Sequence, residues 1–358
     1  MKSISVDIPK IYNINIGLGL RLNFLEKFKL IDKKQKIVIL SQKLIFDIYG
    51  YEIIKQFKEC KIDVESILLE NSEDAKSLSK LNKIYKQLVE FNCDRDSVLI
   101  ALGGGVVGDI SGFIAGTFLR GIEYIQIPTT LLSMVDSSIG GKTGVNLDSG
   151  KNLIGLIWQP RSVIIDPEFL KSLPKREIIS ALSEIIKYGL ILDRNFFNYL
   201  REHISLLLSA ENLNVLSEII HMCGTYKVDI IEKDEKEIGI RKILNFGHTI
   251  GHALEKFYGY ETLRHGEAIA YGILASSFLS VKYSSLSKQD HNLIHKLIMK
   301  LPLPKLPQMD IEKVISLIRN DKKVKLGKIN FILLSDIGKT EISNSVSIES
   351  IKEVLNLL

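Results

Sequence analysis

From about residue 35 to 127, short β-branched runs alternate with stretches of helical periodicity. KIVILS precedes a helical pattern over 44–58, VESILL one over 74–91, SVLIAL one over 105–118, and YIQIP closes the series. Strands alternating with helices of this length predict βαβ units and a parallel-rich sheet with helices on both faces. Ligands of such sheets bind beyond the carboxyl ends of the strands. KTGVNLDSGKNLIG reads as a hairpin or loop, and VIIDPEFLKSLP as a last strand with a boundary near Asp166 and Pro167. The pattern then turns helical, over 175–192, 213–235, 247–258, 264–282, 287–299 and 311–319, and the chain closes with INFILL and a partner strand near Thr340. At 358 residues the chain is too long for one ordinary core. It divides into an α/β amino-terminal domain, 1–167, with a parallel-rich nucleotide-binding sheet, and a mostly α-helical carboxyl-terminal domain, 168–358, with a cleft between.

Composition narrows the class. A hydrophobic share of 46% and a charged share of 25% are those of a folded globular protein. A net charge of +5 without any block of like charges argues against a nucleic-acid partner. Cys60, Cys93 and Cys223 are odd in number and form no CxxC pair, which speaks against a disulfide framework or thiolate metal site and for a reducing cytoplasm. MKSISVDIPK has no apolar core of a signal peptide, and the apolar run 268–281 is too short to span a bilayer, so neither export nor membrane anchoring is expected.

The chemistry begins at ALGGGVVGDI. Gly103, Gly105 and Gly108 satisfy G-x-G-x-x-G between an expected strand and an expected helix, where glycines admit a pyrophosphate and the helix amino terminus offers N–H groups. The same glycines also suit a tight turn packing a helix on a sheet. Because roughly a hundred residues precede this strand, an ordinary dehydrogenase domain is not indicated. Asp109 either complements the helix dipole or contacts a cofactor. Downstream, Arg120, Asp136, Lys142 and Lys151 stand in an otherwise apolar and glycine-rich stretch, which suggests anion binding. Thr129 and Thr130, directly after a strand, cap the next helix, bind a cofactor, or do both.

In the helical half, ALSEIIKYG places Glu184 and Lys187 three apart on one face. They form either a solvated ion pair or, given their apolar flanks, a buried functional one. LNFGHTIGHA places His248 and His252 four apart, and LRHGEAIA adds His265. Spacing alone makes the first two histidines zinc ligands, but small neighbours equally suit hydrogen-bonded core histidines. A second such pair, His291 and His295, lies among Lys288, Gln289, Asp290 and Lys296 and reads as a solvated face. Arg241 and Asn245, one turn apart and one turn before His248, could share its helix face. Together these residues suit a dinucleotide, a divalent metal and a small, strongly anionic substrate.

The segments GGGVVGD, RGI, IPTTLLSMVDSSIGGKTGVN, KNLIG, IIDPEFLKSLP, SEIIKYG, LNFGHTIGHA and RHGEAIAYG, in this order, resemble the 3-dehydroquinate synthases of the shikimate pathway, among the sugar phosphate cyclases. The resemblance runs through essentially the whole chain. It implies a homodimer that binds NAD+ and one divalent ion, Zn2+ or Co2+. The reaction it implies turns 3-deoxy-D-arabino-heptulosonate 7-phosphate into 3-dehydroquinate and phosphate, by transient oxidation, phosphate elimination, re-reduction and intramolecular aldol closure. The departing phosphate itself could serve as base.

The same resemblance makes Glu184, His248 and His265 the metal ligands and leaves His252 as a substrate or proton-relay group. It makes Lys142, Asn152, Lys187, Lys227, Arg241, Asn245 and Lys322 the anion-binding set, with Arg120 reaching across the dimer. Cofactor contacts would be Glu73, Lys76, Gly103, Gly104, Gly105, Val106, Val107, Gly108, Asp109, Thr129, Thr130, Asp136, Lys142, Lys151, Phe169, Leu170, Lys171 and Ser172. Three positions depart from the family pattern: Ser41 in SQKL where an aspartate is expected, NSEDAKSL in place of a glycine-glutamate start, and Ala181 where glycine is common.

Overall fold

The alternating runs of the amino-terminal half become strands of one sheet in the computed structural model, which describes residues 1–8, 10–147, 150–259, 261–319, 324–325 and 328–358. The strands are β1 (Lys2–Val6), β2 (Tyr12–Ile16), β3 (Ile37–Gln42), β4 (Val64–Leu69), β5 (Val98–Gly103), β6 (Glu123–Pro128), β7 (Lys142–Leu147), β8 (Gly150–Ile157) and β9 (Ser162–Ile165). Seven of them form a sheet in the order β1-β2-β9-β6-β5-β3-β4, while β7 and β8 pair separately as an antiparallel hairpin. Every neighbouring pair in the seven-stranded sheet is parallel except β1 with β2. β3, β5 and β9 are buried almost throughout, as expected for strands covered on both faces.

The connections run outward in opposite directions from the β3/β5 pair: β4 lies beyond β3, and β6 and β9 lie beyond β5. The switch point is therefore at the carboxyl ends of β3 and β5, where doubly wound sheets bind ligands. Gly103 ends β5 there, and Gly104 caps the Gly105–Thr117 helix. A core of Val38, Leu40, Leu99, Ala101, Ile110 and Ile114 seals this helix against the sheet.

The α/β plus helical architecture is as expected, but the boundary differs. Contacts divide the chain into one unit of Met1–Leu173 with Leu213–Lys236 and a second of Pro174–Asn212 with Glu237–Leu358. The division falls at 173/174 rather than 167/168 because the short Pro167–Ser172 helix stays with the first unit, its cap Asp166 being tied to the segment that follows β2. The Asp166 carboxylate accepts from the backbone N–H groups of Gly19, Arg21 and Glu168. The Leu213–Lys233 helix rejoins the first unit, where it packs on β1 and on the Ser133–Ser137 turn. β1 and β2, and the helices Arg194–Ser209 and Ile348–Leu357, go beyond the sequence reading. The first of these helices is capped by Asp193, whose side chain accepts from the N–H groups of Asn195 and Phe196.

In the second unit the Lys175–Leu192, His248–Tyr258 and His265–Tyr283 helices pack together, with strands Phe331–Asp336 and Lys339–Ser343 paired as expected. Glycine permits the close approach. A Cβ on Gly266 would stand 1.7 Å from the carbonyl oxygen of Ser180, and one on Gly272 2.0 Å from that of Gly247. Gly247, at φ 79, caps the His248–Tyr258 helix in a left-handed conformation. Among the described residues no helix is long and apolar enough to cross a membrane.

Candidate active site

The first unit gathers a polar cluster beside the switch point. Lys76 is 4% exposed, and its ammonium donates to Asp109 Oδ2 and to Asn152 Oδ1, both at 2.6 Å. Asn152 is offered by the β7–β8 hairpin with a left-handed backbone, φ 51. Its N–H donates to Asn146, whose own amide donates to Glu73 at 3.1 Å; Lys151 stands 3.7 Å from the same Glu73 oxygen. Burial pushes the Asp109 carboxyl upward, against the opposing charge of Lys76. Asp109 is thus the counter-ion of a buried lysine, over and above any effect on the helix dipole. Lys142, Asn152 and Asp109 line a recess of about 380 Å³ along the hairpin.

Nearby, Lys227 is 5% exposed and donates to the carbonyl and carboxylate of Asp136, at 2.5 and 2.6 Å. Thr130 resolves as a cap: its hydroxyl accepts from the Ser133 N–H at 3.2 Å. Thr129 instead keeps a buried hydroxyl with no hydrogen-bond partner among the described residues, as does Ser137. A Cβ on Gly105 would meet that Ser137 hydroxyl at 3.2 Å, so the glycine turn and an orphaned donor face one another. Buried hydroxyls normally find partners, and these two fit a polar ligand at the glycine turn. Ser41, by contrast, spends its hydroxyl on the Leu102 carbonyl at 2.7 Å, within the sheet. Phe169 and Leu170 are buried, whereas Lys171 is exposed and pairs with Glu168; Ser172 accepts from the Tyr49 hydroxyl at 2.6 Å. Arg120 is exposed on a loop with positive φ at Leu119, Arg120 and Gly121. Lys322 lies outside the described residues.

In the second unit, Glu184 and Lys187 are 1% and 2% exposed and form a buried ion pair through Glu184 Oε2. The solvated alternative is excluded. The other oxygen, Oε1, has no hydrogen-bond partner among the described residues. It faces Nε2 of His248 at 3.4 Å and Nε2 of His265 at 3.5 Å. Ligands placed about 2.0–2.2 Å from a tetrahedral ion are separated by roughly 3.3–3.6 Å. These separations therefore fit a metal better than they fit direct hydrogen bonds. His252 completes a group of three histidines whose ligating nitrogens lie within 4.8 Å of one another, a looser set.

Electrostatics point the same way. Burial opposes ionisation of Glu184, but the Lys187 charge and then His265 outweigh it and hold the carboxyl down at about 2. Burial likewise opposes the charged form of His265, yet its contacts with Glu184 and Glu255 push it up to about 10. Two carboxylates against one ammonium draw a further positive charge, which a proton on His265 meets in the absence of an ion and a divalent ion would supply in its place.

Arg241 and Asn245 do not share the helix face of His248. They lie in a short 3₁₀ segment, Ile240–Asn245, and Gly247 starts the His248 helix in a new direction. Arg241 is nonetheless 1% exposed, and Asn245 donates to Glu237 at 2.6 Å. The His291–His295 face is only partly solvated, since His291 Nδ1 is 2.9 Å from the Ser277 hydroxyl. Glu255 and Asn146 escaped the sequence reading. Of these, Glu255 had a visible cue, seven residues after His248 and three after His252 on one helix face.

Comparison with known proteins agrees with this geometry. The family model described as 3-dehydroquinate synthase N-terminal matches residues 66–180, and that described as 3-dehydroquinate synthase C-terminal matches 181–324. This chain belongs to the 3-dehydroquinate synthase family. A 3-dehydroquinate synthase of Rippkaea orientalis is 44% identical over 349 residues, covering 96% of this chain and 95% of the relative. One from Crocosphaera subtropica is 43% identical, covering 98% of each. Among solved structures, 2-deoxy-scyllo-inosose synthase complexed with carbaglucose-6-phosphate, NAD+ and Co2+ superposes with a TM-score of 0.90 at 25% identity, over 99% of both chains.

Proposed function

We propose that the protein converts 3-deoxy-D-arabino-heptulosonate 7-phosphate to 3-dehydroquinate and phosphate, a lyase step of the shikimate pathway. The observation that carries this reading is the orphaned Glu184 oxygen facing His248 and His265, in a chain of this family. Glu184, His248 and His265 would hold the divalent ion. The 103–109 turn with Glu73, Lys76, Thr129, Thr130, Asp136, Lys142, Lys151 and 169–172 would hold NAD+. When bound, the dinucleotide supplies a reversible oxidation, and the ion a Lewis acid beside the hydroxyl that is oxidised.

The chain's own residues bind and orient. Lys187 pins one Glu184 oxygen, so the other keeps a fixed direction. Arg241 presents a buried planar fork suited to a carboxylate, which favours a substrate carrying that group over a sugar phosphate without one. Lys142, Asn152, Lys187, Lys227, Asn245 and Lys322 supply further charge and hydrogen bonds to the anionic substrate. His252, beside His248 at a ring separation of 5.1 Å, moves a proton. Cysteines that form no disulfide suit a cytoplasmic location.

Chelator-treated protein is expected to release phosphate from the heptulosonate phosphate only when both the divalent ion and NAD+ are restored, with no lasting NADH. Cyclisation of glucose 6-phosphate in its place would overturn the substrate assignment. Homodimerisation belongs to the same reading: the Leu119–Gly121 turn offers Arg120 to a second copy, at a backbone cost of order 1–3 kcal/mol each for Leu119 and Arg120. Light scattering should give twice the chain mass. A fully active monomer would remove Arg120 from the site.

A further inference from the structure

Two of the imidazoles that face Glu184 have their second nitrogen spoken for. Nδ1 of His248 lies 3.0 Å from the Phe246 carbonyl oxygen, an acceptor only, so this nitrogen carries the proton and Nε2 presents its lone pair. Nδ1 of His265 lies 3.3 Å from Oε2 of Glu255, a residue of the same helix as His248. The Glu255 side chain is 9% exposed. A carboxylate is rarely buried without a partner that needs it.

We propose that Glu255 is the positioning carboxylate of the metal centre: it accepts from Nδ1–H of His265, fixes that tautomer, and so turns the Nε2 lone pair toward Glu184 and His248. The inference rests on the metal reading above and deepens it. With both Nδ1 protons held, three acceptor atoms converge: Nε2 of His248, Nε2 of His265 and the unpartnered Oε1 of Glu184. The oxygen stands 3.4 and 3.5 Å from the two nitrogens. Facing lone pairs repel, and a cation among them, or in its absence a proton on an imidazole, removes the conflict. The opposite tautomer of His265 would aim a lone pair at a carboxylate and a proton into the cluster. The two second partners also divide the work. A backbone carbonyl serves His248 at the start of its helix, whereas His265 begins another helix and receives its acceptor across the packing contact between them.

The test compares E255Q and E255A with wild type, each stripped of metal and titrated with Co2+ against a coloured chelator, with the visible Co2+ spectrum recorded and folding checked by circular dichroism. Gln keeps an acceptor of the same length for Nδ1–H, and Ala removes it. E255Q is expected to hold Co2+ within a few-fold of wild type. E255A should bind about 10–100-fold more weakly, with an altered Co2+ spectrum. Wild-type affinity and spectrum in E255A would overturn the inference while leaving the metal site standing. So would an equal loss in both variants, since the carboxylate would then act through its charge and not by orienting the ring. Failure of the wild-type protein to bind Co2+ would overturn the metal reading, and this inference with it.

Discussion

Glu184→Gln is expected to slow phosphate release from the heptulosonate phosphate by about 10³-fold or more, with the divalent ion and NAD+ in excess. The reasoning is one of charge. A metal ion supplies several kcal/mol of stabilisation to developing negative charge, and about 1.4 kcal/mol corresponds to each tenfold in rate. The amide keeps the size of the carboxyl group and can still accept from Lys187, but it gives up the anionic oxygen that faces His248 and His265. Lys187 then stands buried without its counter-charge, and breaking a buried pair costs about 3–5 kcal/mol. Some stability is therefore lost along with activity. A double variant, Glu184→Gln with Lys187→Met, separates the two: it should recover thermal stability and stay inactive. Retained metal content and a wild-type rate in Glu184→Gln would sink the ligand assignment.

The second large effect is structural and independent of any ligand. Gly266→Ala should lower the melting temperature by about 5 °C or more, because its Cβ would stand 1.7 Å from a backbone oxygen of Ser180. Overpacking a core costs about 1–3 kcal/mol where side chains can move aside. Here a main-chain carbonyl inside the Lys175–Leu192 helix must move, so the cost belongs at or above the top of that range. For a cooperative unit of about 150–250 residues, such as the second unit, about 1 kcal/mol corresponds to some 2–4 °C. Gly17→Ala is the control: its nearest neighbours lie at 3.4 and 3.5 Å, which is ordinary contact. Equal melting temperatures for the two variants, measured by calorimetry, would show that the helices have room to part. Gly266 also follows His265, so its replacement should weaken Co2+ binding in parallel.

The sequence carried those parts of the fold and site that depend on local pattern. β3 to β6 were legible because β-branched runs alternate with helical periods, and the helix 175–192 because its apolar residues recur on one face. Glu184 and Lys187 could be paired from their spacing, yet whether they were buried depended on which helices covered them. The return of Leu213–Lys233 to the first unit was invisible, since a helix's own periodicity does not name its partner. Arg241 and Asn245 were placed on the face of His248 by counting residues. The count failed at Gly247, where one left-handed residue redirects the chain. The candidate metal set is the instructive case. Spacing favours His248 with His252, but the tightest separations involve Glu184, His248 and His265, from three different helices, and no count along the chain can supply that.

The path of the chain through its units bears on how the protein is made. The seven-stranded sheet is fully synthesised by residue 165, yet the helix that carries Lys227 is not complete until residue 233. Between them the ribosome must produce Pro174–Asn212, which belongs to the other unit. At about 5–20 residues per second, that helix follows the sheet by roughly 3–14 s. During this interval Asp136 has no Lys227, and the apolar surface of β1 that Gly224 comes to meet through Ile4 is uncovered. A nascent chain paused before residue 213 should therefore be a strong client for a chaperone at the exit tunnel. A chain paused far enough beyond residue 236 for that helix to have left the tunnel should no longer bind it.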